Sequence, residues 1–169
     1  MSKNVLYNQR LKKASQMASL LCFIPYIRGV LLTGSMAEQN IKEESDIDFF
    51  VQTKKGRIWM TRGLVVFFLT IIGQYRSKRI TAGKICPNWY AIYNAPKKTN
   101  RRHIVLTKDN NFLGKSLEII LSNKFGDLLE KMFKNYQIRR IENNPSTFKY
   151  GSEVRFSDKE LGFHPHDKI

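Results

Sequence analysis

The stretch RGVLLTGSMAEQNIKEESDIDFFVQT, residues 28–53, has the pattern of two strands joined by a turn and a polar loop. The apolar run Val30–Leu32 stops at Gly34 and Ser35, which are typical turn residues. A second apolar segment, Ile47–Val51, follows the polar loop. This stretch therefore predicts a strand, a tight turn opening a short helix, a loop and a second strand.

Two carboxylates stand two residues apart where the second strand begins. Side chains alternate between the faces of a strand, so Asp46 and Asp48 are expected to point the same way. Neighbouring carboxylates repel each other and raise each other's pKa, so a fold keeps such a pair chiefly around a cation. Carboxylate oxygens suit Mg²⁺ or Mn²⁺, with water and substrate phosphate completing the coordination shell. The sequence predicts a divalent-cation site at this pair.

The Gly34-Ser35 turn predicts an anion site close to these carboxylates. Backbone N–H groups at a glycine-containing turn and a helix N-terminus attract phosphate, and the Ser35 hydroxyl adds a further donor.

Gly34-Ser35 followed by Ser45-Asp46-Ile47-Asp48 resembles the signature of the DNA polymerase β-like nucleotidyltransferase superfamily. The resemblance implies a nucleoside triphosphate held by Gly34, Ser35 and Ser45, and metal ions held by Asp46 and Asp48. It also implies attack of an acceptor hydroxyl on the α-phosphate with release of pyrophosphate.

Members of this superfamily usually carry a third acid on a later strand, and here the next acid after Asp48 is Asp109. The segment 84–93, KICPNWYAIY, has the composition of that strand. Its Asn88 is the expected substitute, because an amide oxygen can still bind Mg²⁺ weakly. The alternatives are that another acid such as Asp109 or Glu118 completes the site, or that the domain binds nucleotide without turning it over.

The pattern of the whole chain predicts an α/β (α+β) fold, with a short mixed sheet flanked by helices. Apolar residues at helical spacing predict a first helix over 7–23. An apolar run too short to span a bilayer predicts a buried helix over 57–74, and its β-branched and aromatic residues leave a strand as the alternative. Pro87 predicts an edge position or a bulge in the third strand. The expected domain limits are a nucleotidyltransferase-like domain over 1–142, with its core at about 20–106 and a helical extension over 109–141, and a polar C-terminal tail over 143–169.

Composition bears on the partners more than on the fold. The 169 residues carry a formal net charge of +15 and a pI near 10.0, which favour RNA, DNA, nucleotides or an anionic membrane surface. Thirteen Lys and Arg residues and no acid lie between Phe49 and Lys108. The two cysteines match neither a zinc pattern nor a disulfide framework, so a reducing cytoplasm is expected. No transmembrane segment is predicted. The apolar segment 63–73 is expected to be buried in the core, and an oligomer contact through it is the alternative.

Three other functions compete with the transferase hypothesis. One is a nucleotide- or RNA-binding pseudoenzyme that lacks the third carboxylate. Another is an interaction module of the toxin–antitoxin type, and the last is a DNA-binding domain unrelated to the superfamily. The acceptor is open within the transferase hypothesis, because aminoglycosides, tRNA, protein side chains and nucleotides are all used on this scaffold.

Overall fold

A sheet with helices packed against it forms the protein, and the computed structural model describes residues 3–77, 79–94, 102–148 and 150–164. In this part of the chain the elements are α1 (Lys3–Leu21), β1 (Ile27–Thr33), α2 (Gly34–Ala37), β2 (Ile47–Thr53), α3 (Ile58–Ile71), β3 (Ile85–Ile92), β4 (Ile104–Lys108), α4 (Phe112–Ile120), α5 (Lys124–Glu142), a 3₁₀ helix (Pro145–Phe148), β5 (Glu153–Phe156) and β6 (Glu160–His164).

The six strands lie in the order β4-β1-β2-β3-β6-β5. The β2–β3 pair is parallel and is connected through α3, while the other four neighbouring pairs are antiparallel. The predicted mixed sheet flanked by helices is therefore confirmed. Because β1 runs opposite to β2 and β3, its C-terminal end meets their N-terminal ends at one edge of the sheet, which we call the site edge.

The main hydrophobic core lies on one face of the sheet. Alternate residues of β1 and β2, such as Leu32 and Phe49, pack there with residues from α1, α3 and α5. The intervening residues belong to a smaller cluster of Leu31, Phe50 and Ala91, with Trp89 against it. The side chain of Asp48 falls in the same alternation as Phe50, so it belongs to the face opposite the main core.

The predicted helix over 57–74 is α3, whose Val65 and Leu69 are fully buried in the main core. Its β-branched and aromatic content does not make it a strand, because these side chains pack on the sheet and on α5. Among the described helices, none combines the length and the apolar character needed to cross a membrane.

The segment expected to be a polar tail, 143–169, contributes two strands to the sheet, and this corrects the expectation. Strand β6 pairs with β3, and β5 pairs with β6 at the edge. Leu161 is fully buried in the main core, and so is Ala14 of α1, so the core extends well beyond 20–106 on both sides. Leu161 and Phe163 of β6, together with Val154 of β5, supply the side chains that pack on the core, and the charged residues around them conceal this face in the sequence.

Pro87 lies at a bulge and not at an edge. Strand β3 is flanked by β2 and β6, so its position in the sheet is interior. The β2–β3 register pairs Phe49 with Pro87 and Phe50 with Trp89, which leaves Asn88 as the extra residue. A bulge re-aims the side chain of its extra residue and tolerates the missing N–H of proline.

Candidate active site

The turn after β1 is packed directly against one of the two carboxylates. Thr33 and Asp48 are opposite each other in the β1–β2 pair, and Gly34 follows with φ of +64°. A Cβ atom at position 34 would overlap Oδ2 of Asp48. A glycine is therefore needed here both for its backbone conformation and for the space beside Asp48. The structure thus brings the predicted turn and the predicted acid together.

The acid pair is buried at the site edge of the sheet. Asp46 is 3% exposed and Asp48 is 7% exposed. Cys86, opposite Asp48 on β3, brings its sulfur into the same cluster. One ligand atom from each of the three residues lies within 4.8 Å of the others, and within the described ranges this is the group that could hold a metal ion.

Cys86 is present as a neutral thiol. Burial, followed by the negative charge of Asp48, raises its pKa to about 12. A protonated sulfur is a poor ligand for any metal, and a hard cation prefers oxygen. In the metal-free protein the charged donors of the group are therefore the two carboxylates, and the Cys86 sulfur is a neutral neighbour of both.

Asn88 contacts the acid pair as predicted, although through its nitrogen. Its Nδ2 donates to Oδ1 of Asp48 at 2.8 Å, an orientation that follows because a carboxylate only accepts hydrogen bonds. The amide oxygen of Asn88 is buried and has no hydrogen-bond partner among the described residues. The bulge in β3 is what aims this side chain at Asp48.

Arg76 supplies a positive charge at the pair, a contact that sequence reasoning missed. Its Nη1 lies 3.0 Å from Oδ2 of Asp46 and 3.6 Å from Sγ of Cys86. Burial alone would lower the pKa of the guanidinium, but the hydrogen bond to Cys86 and the charge of Asp46 raise it above its ordinary value. The residue reaches the site because Tyr75 forms a parallel bridge with Ile85 at the start of β3.

The two predicted nucleotide-binding serines differ in their surroundings. The Ser35 hydroxyl is buried and has no hydrogen-bond partner among the described residues. The Ser45 hydroxyl accepts from the backbone N–H of Lys42 at 3.1 Å and thereby closes the loop before β2. Ser45 thus has a local structural contact, and its role towards a nucleotide stays a prediction.

Comparison with family models, with curated proteins and with solved structures returns no match. The chemistry assigned to the site therefore rests on the residues of this chain.

The loop that leads into β2 and contains Asp46 is held by a buried arginine of α1. Arg10 donates to the backbone carbonyls of Lys42 at 2.9 Å and Ser45 at 2.7 Å, and also to that of Glu43. The carbonyl of Ser45 accepts a second bond from the N–H of Gly83. Arg10 lies more than thirty positions from this loop, and only its unusual place on the buried face of a helix could have indicated the contact.

Asp109 and Glu118 do not complete the site. Glu118 accepts from Arg28 at 2.7 Å and from Lys54 at 2.8 Å, and Asp109 is paired with Lys115 at 3.2 Å. These residues line a cleft of about 540 Å³ at the opposite end of β1. A seven-residue strand separates them from Gly34, about 20 Å in extended backbone. The alternative in which one of them supplies the third carboxylate is wrong.

Proposed function

We propose that the chain is a metal-dependent nucleotidyltransferase that moves a nucleoside monophosphate from a nucleoside triphosphate to a hydroxyl acceptor. The observation that carries the proposal is the contact between the Gly34-Ser35 turn and Asp48, the second member of a buried carboxylate pair. This contact brings a turn suited to a phosphate beside a carboxylate pair suited to a cation, which supports the binding of a metal-bound triphosphate.

The residues present fit a divalent cation. Asp46 and Asp48 would hold it, and the Cys86 sulfur lies beside their oxygens in the same group. When bound, such an ion neutralises the charge of the triphosphate and lowers the pKa of an acceptor hydroxyl. The buried Ser35 hydroxyl, which has no partner among the described residues, would donate to a phosphate oxygen.

In the proposed reaction, the acceptor oxygen forms a bond to the α-phosphorus as the bond to the β-phosphate oxygen breaks, so that pyrophosphate leaves with the electron pair. The acceptor loses its proton to the surrounding carboxylates or to water. Among the described residues, the third position that would hold a general base is occupied by Cys86 and Asn88. We therefore expect slow turnover.

Binding of a nucleotide without transfer is the second candidate. Three groups favour it: the neutral thiol of Cys86, the amide of Asn88 that donates to Asp48, and the Arg76 guanidinium paired with Asp46. The thiol adds no negative charge, while the amide and the guanidinium each occupy a carboxylate oxygen that a metal would need. The basic composition of the chain is compatible with an RNA acceptor or with RNA binding in either case.

The test is incubation with each labelled nucleoside triphosphate, Mg²⁺ or Mn²⁺, and pools of RNA, protein and small hydroxyl compounds. We expect label transfer that disappears in Asp48→Ala and persists in Asp127→Ala, a matched control whose carboxylate pairs with Arg57 on the surface. Metal-dependent nucleotide binding without transfer, lost in Asp48→Ala, would establish the second candidate. Absence of both binding and transfer would exclude both.

A further inference from the structure

The acid pair already has a cation beside it, and that cation belongs to the chain. The Arg76 guanidinium lies 3.0 Å from Oδ2 of Asp46 and touches the Cys86 sulfur, which is itself part of the cluster. A divalent metal held by Asp46 and Asp48 would need the same carboxylate face. Two cations at ion-pair distance from one carboxylate repel each other strongly in a buried site.

The Arg76 side chain can leave the pair without a change in the sheet. Its backbone is fixed, because its N–H donates to the carbonyl of Ile85 at 2.9 Å and the N–H of Ile85 donates to Gln74 at 2.8 Å. Its side chain is 31% exposed, so the guanidinium has a path to solvent by rotation of its own side chain.

We propose that Arg76 is a resident counter-ion that competes with divalent metal for Asp46 and so sets the metal affinity of the site. The inference rests on the proposed function, because it takes Asp46 and Asp48 as the metal ligands. In the metal-free protein Arg76 neutralises part of the charge of the buried pair. In the metal-bound protein it leaves Asp46, and its long side chain stays close enough to contact the phosphates of a nucleotide.

Competition predicts opposite effects of one substitution on two quantities. Arg76→Gln removes the partner of a buried carboxylate, so the metal-free protein loses stability. The same change removes a competing positive charge, so metal binds more tightly. A residue that merely supported the structure would weaken both when it is replaced. The opposite signs therefore separate competition from simple support.

The experiment is a titration with Mn²⁺ without nucleotide, followed by the electron paramagnetic resonance of free Mn²⁺, together with thermal unfolding with and without Mn²⁺. We expect Arg76→Gln to bind Mn²⁺ at least about tenfold more tightly than the wild type. Its melting temperature is expected to be lower without metal and to rise more on addition of metal. Arg76→Lys, which keeps the charge, is expected to bind within about threefold of the wild type.

Arg79→Gln is the matched control, because it removes the same charge from an exposed position three residues away. It is expected to leave Mn²⁺ affinity almost unchanged. Arg76→Met retains the stem of the side chain and repeats the test should Arg76→Gln fail to fold. Equal or weaker Mn²⁺ binding by both variants would overturn the proposal, and so would tightening in Arg79→Gln of the same size.

The outcome is separable from that of the proposed function. Tighter Mn²⁺ binding by Arg76→Gln with no label transfer in any variant would support the competition and contradict the transferase. Label transfer by the wild type with unchanged Mn²⁺ affinity in Arg76→Gln would support the transferase and contradict the competition. Failure of the wild type and both variants to bind Mn²⁺ would overturn the competition.

Discussion

Position 34 requires a glycine for two separate reasons. Its φ of +64° is costly for any residue with a Cβ, and a Cβ would also overlap the Asp48 carboxylate. Gly73 at the end of α3 has nearly the same φ, +65°, but a Cβ there would meet nothing within 4 Å. Substitutions at these two glycines therefore separate the cost of backbone strain from the cost of displacing the Asp48 carboxylate.

We expect Gly34→Ala to lower the free energy of unfolding by about 2–4 kcal/mol and Gly73→Ala by about 1 kcal/mol, measured by urea denaturation. Because the extra cost at position 34 comes from moving Asp48, metal-dependent stabilisation should be lost only in Gly34→Ala. Equal losses of stability at the two positions would show that Asp48 does not lie against the turn.

Residues of the site differ in how far the sequence could reveal them. That Gly34 lies close to Asp48 was expected from the resemblance of the two motifs, whereas the contact itself depends on the register that places Thr33 opposite Asp48. Cys86 could not be assigned to the site from the sequence, because a thiol carries no pattern that marks it as a neighbour of carboxylates. Arg76 could not be placed, because its position depends on a single bridge between residues 75 and 85, which no periodicity encodes.

At the scale of the elements, helix α4 shows how an ion pair can override hydrophobic periodicity. The regular apolar spacing of 112–141 predicts helices, and α4 and α5 confirm them, with Asn111 as the N-cap of α4. The spacing does not predict which face is buried, because α4 buries Gly114 and Glu118 while Phe112 is 80% exposed and Ile119 is 77% exposed. Glu118 lies on the buried face of α4, where it forms ion pairs with Arg28 and Lys54.

Glu118 is expected to stabilise the protein in a pH-dependent way. Burial would raise its pKa, but the hydrogen bonds from Arg28 and Lys54 lower it to about 2, well below the ordinary value of 4.5. A lowered folded-state pKa gives stabilisation that is complete above the unfolded pKa and disappears as the pH falls through the folded pKa. Glu118→Gln should therefore cost roughly 2–3 kcal/mol at neutral pH.

The check is chemical denaturation of the wild type and Glu118→Gln from neutral pH downwards. The difference between them should shrink as the pH falls from about 5 towards 2. Asp127→Asn breaks an ion pair whose carboxylate is mostly exposed, so we expect a cost below about 1 kcal/mol. A difference for Glu118→Gln that is independent of pH would contradict the ion-pair explanation.

At the scale of the whole molecule, the sheet joins residues from both ends of the described chain. The strands β1, β2 and β3 were predictable from their apolar content, whereas β5 and β6 were not, because two short strands among many charges resemble a solvated tail. Leu161 decides the matter, since this β6 side chain is fully buried in the main core.

We expect Leu161→Ala to lower the free energy of unfolding by about 2–5 kcal/mol, the usual cost of a cavity in a packed core. Tyr150→Ala is the control from the same part of the chain, because that side chain is fully exposed, and it should cost no more than about 0.5 kcal/mol. Both changes can be measured from the midpoints of denaturant unfolding, provided that the dependence of the unfolding free energy on denaturant concentration is unchanged. A small effect at Leu161 would mean that β6 is not part of the cooperative unit.

The pairing of β3 with β6 also sets an order of events during translation. Ribosomes add roughly 5–20 residues per second, and about 70 residues separate the two strands, so β3 emerges several seconds before its partner. For that interval, the nascent polypeptide presents an open strand edge that can pair with another chain. Slow synthesis or a premature stop codon ahead of β6 should therefore yield species that depend on chaperones or aggregate, even though every residue of the acid pair and its turn has already been made.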